Sequence, residues 1–237
     1  METVVDKERE DNSKHGGHLD VLGFIPVEYR ASILQQCSKL QMGGGRILWH
    51  QGDRADFIGF LAAGKLMSSY ISPSGKSSVT GLWVAGDILG AADLDGSSTR
   101  LMTFRCLEDS TVYSLAIEKF DEIINRFPEV SHAIVKALAI RLRWVAHLEA
   151  ALKTQTIFER VCGVLLALGE TFGARSDGSI VIDLHLTHSD LAAMVGTSRQ
   201  TMNVTLHDLE RKGMISMQNR KITVTNEEEL RILAYNL

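Results

Sequence analysis

Near the C-terminus, the stretch LTHSDLAAMVGTSRQTMNVTLHDLERKGMIS (186–216) places Arg199, Gln200 and Asn203 at helical spacing, with no obvious partners inside the chain. Arginine pairs bidentately with guanine, and glutamine or asparagine with adenine. Each such pair is worth roughly 1–3 kcal/mol of discrimination between bases. The hydroxyls of Thr187, Ser189, Ser198 and Thr201, together with helix N-terminal amides, are suited to phosphate oxygens. The chemistry these residue types offer is recognition of a nucleic acid, with base contacts and backbone contacts supplied by one short segment.

Two helices have to hold them. Thr187, with Asp190 three residues on, approximates a capping box, and Leu191, Met194 and Val195 fall on one inward face. Gly196 permits a sharp turn. Thr197 with Gln200 then forms a second capping box, opening a helix that buries Met202, Leu206 and Leu209 at i, i+4 and i+7. Two helices joined by a short glycine-containing turn make a helix-turn-helix. The outward stripe is then Arg199, Gln200, Asn203, Val204 and His207, its polar residues gathered at the end that enters the major groove in this motif. The hairpin MISMQNRKITVTN behind it carries Arg220 and Lys221 at its tip, as a wing would. A solvated face in an ordinary helix bundle is the competing reading, and the order helix, turn, helix, wing weighs against it.

Upstream, VEYRASILQQCSKLQ (27–41) reads as an amphipathic helix with Ile33, Leu34 and Cys37 at helical spacing. From Gly43 to about Leu115, short β-type runs alternate with Gly, Asp and Ser punctuation, the pattern of an antiparallel barrel or sandwich. A brief helix, IEKFDEIINRF, stops at Pro128, which suits the first turn of a much longer one, PEVSHAIVKALAIRLRWVAHLEAALKT. In the long helix Ile134, Leu138, Val145, Leu148 and Leu152 recur at spacings of three, four and seven, with Arg141 interrupting the seam. This fits a two-stranded helical interface, the alternative being a helix laid on the β unit. Then follow a helix TIFERVCGVLLALGETFG, a turn at Ser176–Gly178, a strand SIVIDLHL, the helical pair, the hairpin and a short final helix. The expected units are an arm over 1–20, a β unit over 21–127, a dimerisation helix over 128–153 and a DNA-binding unit over 154–237.

Composition agrees. The 237 residues, 45% hydrophobic and 23% charged, describe an ordinary soluble globular protein long enough for two domains. No apolar run approaches a membrane span, and the opening METVVDKEREDNSKHGGH lacks the apolar core of a secretory signal. The net charge of −4 argues against a uniformly basic coat. Cys37, Cys106 and Cys162 are odd in number and far apart, so neither a disulfide framework nor a cysteine-built metal site is expected, and a reducing cytoplasm fits. Two motifs are chance matches. Gly75-Lys76-Ser77 has Tyr70 where a phosphate-binding loop needs glycine, and Asn203-Val204-Thr205 lies within a helix. A cupin-like metalloenzyme would need clustered His and Glu ligands in the β unit, which offers only His50.

Taken together, the β segment with GDILG, the long helix after FPEV, and LAAMVGTSRQTMNVTLHDLERKGMI resemble the Crp/Fnr family of bacterial transcription regulators, from about Val21 to Val224. The resemblance implies an α+β protein: an N-terminal antiparallel β-roll of jelly-roll type, like a cyclic-nucleotide-binding domain, then a long dimerisation helix and a C-terminal winged helix-turn-helix. It implies no enzyme activity, a cytoplasmic homodimer, a palindromic double-stranded DNA site, RNA polymerase as a further partner and a small-molecule effector at the roll. Arg199 and Gln200 fall where the family reads bases; Thr187, Ser189, Ser198 and Thr201 fall where it touches phosphate. Val204 replaces a polar reader and offers only contact to a thymine methyl, with Asn203 as substitute reader. The dimer seam would be Ile134, Leu138, Arg141, Val145, Leu148 and Leu152.

The same resemblance places an effector pocket at Gly90, Ala91, Arg100, Leu101, Val145 and Ala146. Arg100 matches the arginine that meets a cyclic phosphate. Ala91, Leu101, Val145 and Ala146 replace the polar groups that would hold the rest of cyclic AMP, so control by that ligand is not expected. An iron–sulfur sensor needs a cysteine cluster near the N-terminus, and none precedes Cys37; His132 and His147 could serve haem only as isolated helical histidines. The cofactor and effector are unidentified at this level. An effector-independent or thiol-regulated member, through Cys106 or Cys162, is the alternative.

Overall fold

The computed structural model describes residues 20–218 and 221–235. Residues 1–19 of the arm expected over 1–20, and the wing-tip residue Arg220, lie outside the described residues.

Two short helices, α1 (Val21–Phe24) and α2 (Val27–Gln35), precede the sheets. The helix expected over 27–41 therefore ends early, because Ser38–Met42 is a strand, β1, paired antiparallel with residues 110–114. That pairing outweighs the local helical spacing of Leu34 and Cys37, as tertiary context commonly does for short segments. Seven further strands follow: β2 (Ile47–Trp49), β3 (Phe57–Ala63), β4 (Lys65–Ile71), β5 (Ser77–Val84), β6 (Ile88–Leu89), β7 (Thr103–Cys106) and β8 (Ser110–Ala116). They form two four-stranded antiparallel sheets, ordered β1-β8-β3-β6 and β2-β7-β4-β5. Leu61, Leu66, Leu89, Phe104, Cys106 and Val112 fill the space between them, with Trp49 at one side. The discarded Gly-Lys-Ser motif is the β4–β5 turn. The Ser72 amide donates to the Lys76 carbonyl, and Gly75 adopts a φ of 78°.

Helix α3 (Ile117–Arg126) buries Phe120 and Ile123, and α4 (Pro128–Thr154) starts on Pro128 as its sequence requires. The first turns of α4 lie on the roll. Val130, Ala133 and Ile134 join Ile58, Phe60 and Leu115 from the sheets in one cluster.

The C-terminal unit packs around α5 (Ile157–Phe172), which opens with a complete capping box between Thr156 and Glu159 and buries Val161, Cys162, Leu165 and Leu166. Then come β9 (Gly173–Ser176), β10 (Ser179–Ile182), α6 (His188–Val195), α7 (Arg199–Arg211), β11 (Ile215–Gln218), β12 (Lys221–Val224) and α8 (Glu227–Tyr235). The strands form an antiparallel sheet ordered β11-β12-β10-β9. The expected strand SIVIDLHL stops at Ile182, and β9 was not foreseen. Its first residue must be glycine, since a Cβ on Gly173 would sit 2.3 Å from the Gly169 carbonyl oxygen and 2.2 Å from Ile180. Leu191, Val195, Met202, Leu206 and Leu209 pack into this core from the two helices.

Candidate nucleic-acid interface and ligand cavity

Helix α7 is set by its turn. Gly196 takes the left-handed conformation, φ 70°, and closes α6. The cap of α7 is Ser198, whose Oγ accepts from the Thr201 amide at 3.0 Å, so the helix opens one residue later than the predicted Thr197 cap. Met202, Leu206 and Leu209 are buried as expected. Arg199, Gln200, Val204 and His207 are exposed, Val204 by 59% of its surface. Asn203 is half-buried, because the His188 ring donates from Nδ1 to its Oδ1 at 2.5 Å. Sequence reasoning missed His188. The N1 residue of α6 lies fifteen positions from Asn203, and only the crossing of the two helices brings them together.

The four expected phosphate-contacting hydroxyls divide. Thr187 caps α6, accepting from the Asp190 amide and donating to the Asp190 carboxylate. Ser198 and Thr201 share a hydroxyl–hydroxyl bond of 2.9 Å at the start of α7. Ser189 stands exposed on the first turn of α6. On the wing, Lys221 forms an ion pair with Asp183 at 2.6 Å and holds that carboxyl below its usual range.

The roll treats its arginine differently. The Arg100 side chain is fully buried. Its Nη1 donates to Asp93 at 3.1 Å and its Nη2 to the Phe57 carbonyl at 2.7 Å. The guanidinium lies 3.9 Å from the Trp49 ring centroid and 4.6 Å from that of Phe57. Asp93, in a 3-10 turn over Ala91–Asp95, also accepts from the Leu101 amide. Gly90 passes so close that a Cβ there would sit 2.7 Å from Nη1. Only Nε lacks a hydrogen-bond partner, too little to hold a phosphate already excluded by the Asp93 charge. Gly90 and Arg100, expected in an effector pocket, are packed into the protein and paired internally, and neither lines the neighbouring cavity.

The cavity itself lies beside them, between the roll and α4, with a volume of about 270 Å³. Ala91, Leu101 and Val145 line it as expected, with Trp83, Met102 and Leu138. Ala146 is exposed on α4. Arg141 borders the cavity. It lies over Trp83 and Trp144 and donates to the Thr80 carbonyl, and burial pushes its guanidinium down to about 10 despite the opposing influence of Asp87.

This position of Arg141 sets it apart from the other residues expected along the seam. Ile134 is buried inside the protomer, Arg141 turns onto the roll, and Leu148 lines a second small apolar cavity with Trp144 and Val164. What α4 exposes instead is Val135, Leu138, Leu142, Val145 and Leu152, at spacings of three, four, three and seven, with Leu142 70% exposed. The exposed stripe keeps the expected period: Leu138, Val145 and Leu152 lie on it with Val135 and Leu142, while Ile134 and Arg141 turn onto the roll. An apolar stripe of that spacing is what a helix offers to a second helix.

The helical pair rests on the outer face of the roll. Arg105 on β7 donates to Asp190 at 2.9 Å, His185 Nδ1 donates to the Leu107 carbonyl at 3.2 Å, and Leu186, Ala193 and Met194 pack on Met67, Val79 and Leu107. The cysteines are poor thiolate formers. Burial raises Cys106 against a hydrogen bond from Ser110, and pushes Cys37 and Cys162 up to about 11. Among the described residues, no group of three His, Cys, Asp or Glu side chains could hold a metal ion, and no helix is long and apolar enough to cross a membrane.

Comparison with known proteins agrees with this architecture. Residues 40–127 match the cyclic nucleotide-binding domain family, and residues 159–233 match the Crp-like helix-turn-helix domain family. A CRP-like cAMP-activated global transcriptional regulator of Mycobacterium tuberculosis is 24% identical over 200 residues, covering 84% of this chain and 89% of the relative. A global nitrogen regulator of Nostoc sp. is 27% identical over 181 residues, covering 76% and 81%. The fold is shared with the c-di-GMP responsive global regulator CLP of Xanthomonas campestris, at a TM-score of 0.77 and 18% identity, covering 84% of this chain and 99% of that one. Relatives of this kind are regulators, not enzymes. With an effector-type β-roll, a long connecting helix and a Crp-like reading head in that order, the chain fits the Crp/Fnr family of transcription regulators.

Proposed function

We propose that two copies of this chain pair along the Val135–Leu152 stripe of α4 and read a palindromic duplex through their two α7 helices. The carrying observation is the α7 surface: Arg199, Gln200 and Val204 are exposed at the leading end of a helix whose opposite face is fully buried. In the dimer, the two leading ends enter major grooves about one helical turn apart. Arg199 reads guanine, Gln200 reads adenine, and Val204 meets a thymine methyl. Ser189 and the amides at the starts of α6 and α7 contact phosphates, since Thr187 and Ser198 are already engaged as caps. The regulator works in the cytoplasm, with RNA polymerase as partner.

Control does not pass through cyclic AMP. Asp93 supplies the negative charge that Arg100 would otherwise seek in a cyclic phosphate. An effector, where one acts, is a small molecule with a largely apolar body, seated between Leu101, Met102, Trp83 and Leu138. Thiol control is disfavoured, since all three cysteines are pushed away from the thiolate.

The test is retardation of a palindromic duplex selected from random sequence, with affinity falling steeply as salt rises and no change on adding cyclic AMP. Light scattering should give a dimer, and Leu142→Glu should give a monomer with weakened binding. A dimer indifferent to Leu142→Glu would remove the α4 stripe from the interface. Mass spectrometry of the freshly purified chain identifies any retained ligand.

A further inference from the structure

Among the residues on the outward stripe of α7, Asn203 alone is tied to the neighbouring helix. Its carboxamide oxygen accepts a hydrogen bond from Nδ1 of His188, the first residue of α6. The bond is short, 2.5 Å, and both residues are half-buried at the helix crossing, where solvent competes weakly for the pair. Arg199 and Gln200, one turn earlier on the same stripe, are exposed.

An unrestrained asparagine reads adenine bidentately, turning its oxygen to the N6 amino group and its nitrogen to N7 at once. That requires both ends of the amide to face the base edge. Here the oxygen faces α6, so the end left for a base is the amino group, which can only donate. We infer that His188 is a specificity-determining positioning residue: by holding the Asn203 oxygen, it converts Asn203 from an adenine reader into a donor that selects bases presenting carbonyl acceptors. Guanine, with O6 and N7, and thymine, with O4, satisfy that donor. Adenine leaves its N6 amino group without a partner, and cytosine opposes donor with donor. Asn203 and His188 thereby act as one unit across two helices, and the base preference at that step of the half-site is written partly on α6.

This inference rests on the proposal that α7 reads DNA, and one experiment separates the two. Full-length wild type, Asn203→Ala, His188→Phe and His188→Gln are each used to select duplexes from random sequence, with thermal denaturation as a folding control. Wild type should favour guanine or thymine at one base pair per half-site, and Asn203→Ala should lose that preference alone. His188→Phe keeps the ring volume but has no donor, so the freed amide should raise the adenine share at that pair by about tenfold, in line with one bidentate contact. His188→Gln, whose side-chain amide can donate to Asn203, should restore the wild-type preference. A merely structural role for His188 would weaken binding at every sequence equally. An Asn203-dependent preference for adenine in wild type, or an unchanged preference in folded His188→Phe, overturns the inference while the regulator reading stands. If wild type selects no sequence at all, both fall. Should His188→Phe not fold, the base identity lost in Asn203→Ala decides by itself.

Discussion

Two arginines of this chain stand where the resemblance expects ligand contacts, and their surroundings send them in opposite directions. Arg199 stands at the exposed leading end of α7, over a turn whose hydroxyls and amides add no opposing charge. Arg100 is fully buried in the roll, neutralised by Asp93 and sandwiched against Trp49 and Phe57. On the proposed function, the same side chain is a recognition group in one region and a structural element in the other. What decides is whether a carboxylate of the protein's own reaches it first. By that criterion Arg199 is available to an outside partner, and Arg100 is already paired from within.

The contrast can be broken most forcefully at Asp93. Removing one member of a buried ion pair strands the other charge, so Asp93→Ala should destabilise the fold by about 3–5 kcal/mol in chemical denaturation. Asp93→Asn sharpens the point. With the competing charge gone, inorganic phosphate should raise its melting temperature and leave that of wild type unmoved. A wild-type protein stabilised by cyclic AMP would show that Asp93 does not occupy the anion site. In the reading head, Arg199→Ala should leave denaturation unchanged while costing about 1–3 kcal/mol of base discrimination at a single position per half-site. Loss of stability instead would make Arg199 structural, and the contrast between the two arginines would vanish. The smallest expected effect is at the cap: Ser198→Ala should lower stability by about 1 kcal/mol, with DNA affinity reduced across all sequences alike.

Much of the reading head was legible in the sequence because its determinants are local. The inward spacing of Met202, Leu206 and Leu209, the glycine at 196 and the Thr187–Asp190 box lie within a few turns of one another, and each appears in the structure where the pattern places it. The cap at Ser198 rather than Thr197 differs by one residue, since either hydroxyl satisfies the local rule. The sensor was less legible. Loss of the polar companions at Ala91, Leu101 and Val145 could be read directly, but the fate of Arg100 depended on Asp93. That residue is seven positions away, across a 3-10 turn, and carries no local signature of pairing. The α4 stripe shows the intermediate case. The apolar period of α4 was readable, but which of its residues are exposed was not, because Ile134 and Arg141 are drawn to the roll by Phe60 and Trp83, residues far upstream in the chain. The His188–Asn203 pair and the Arg105–Asp190 contact were invisible for the same reason.

The most direct measurement is the affinity of the purified protein for a palindromic duplex selected from random sequence, titrated over a range of salt, with and without saturating cyclic AMP. The account predicts tight binding without added ligand, a steep fall with salt, and superimposable curves in the two conditions. Sequence-indifferent binding, or binding that appears only when cyclic AMP is present, would contradict it.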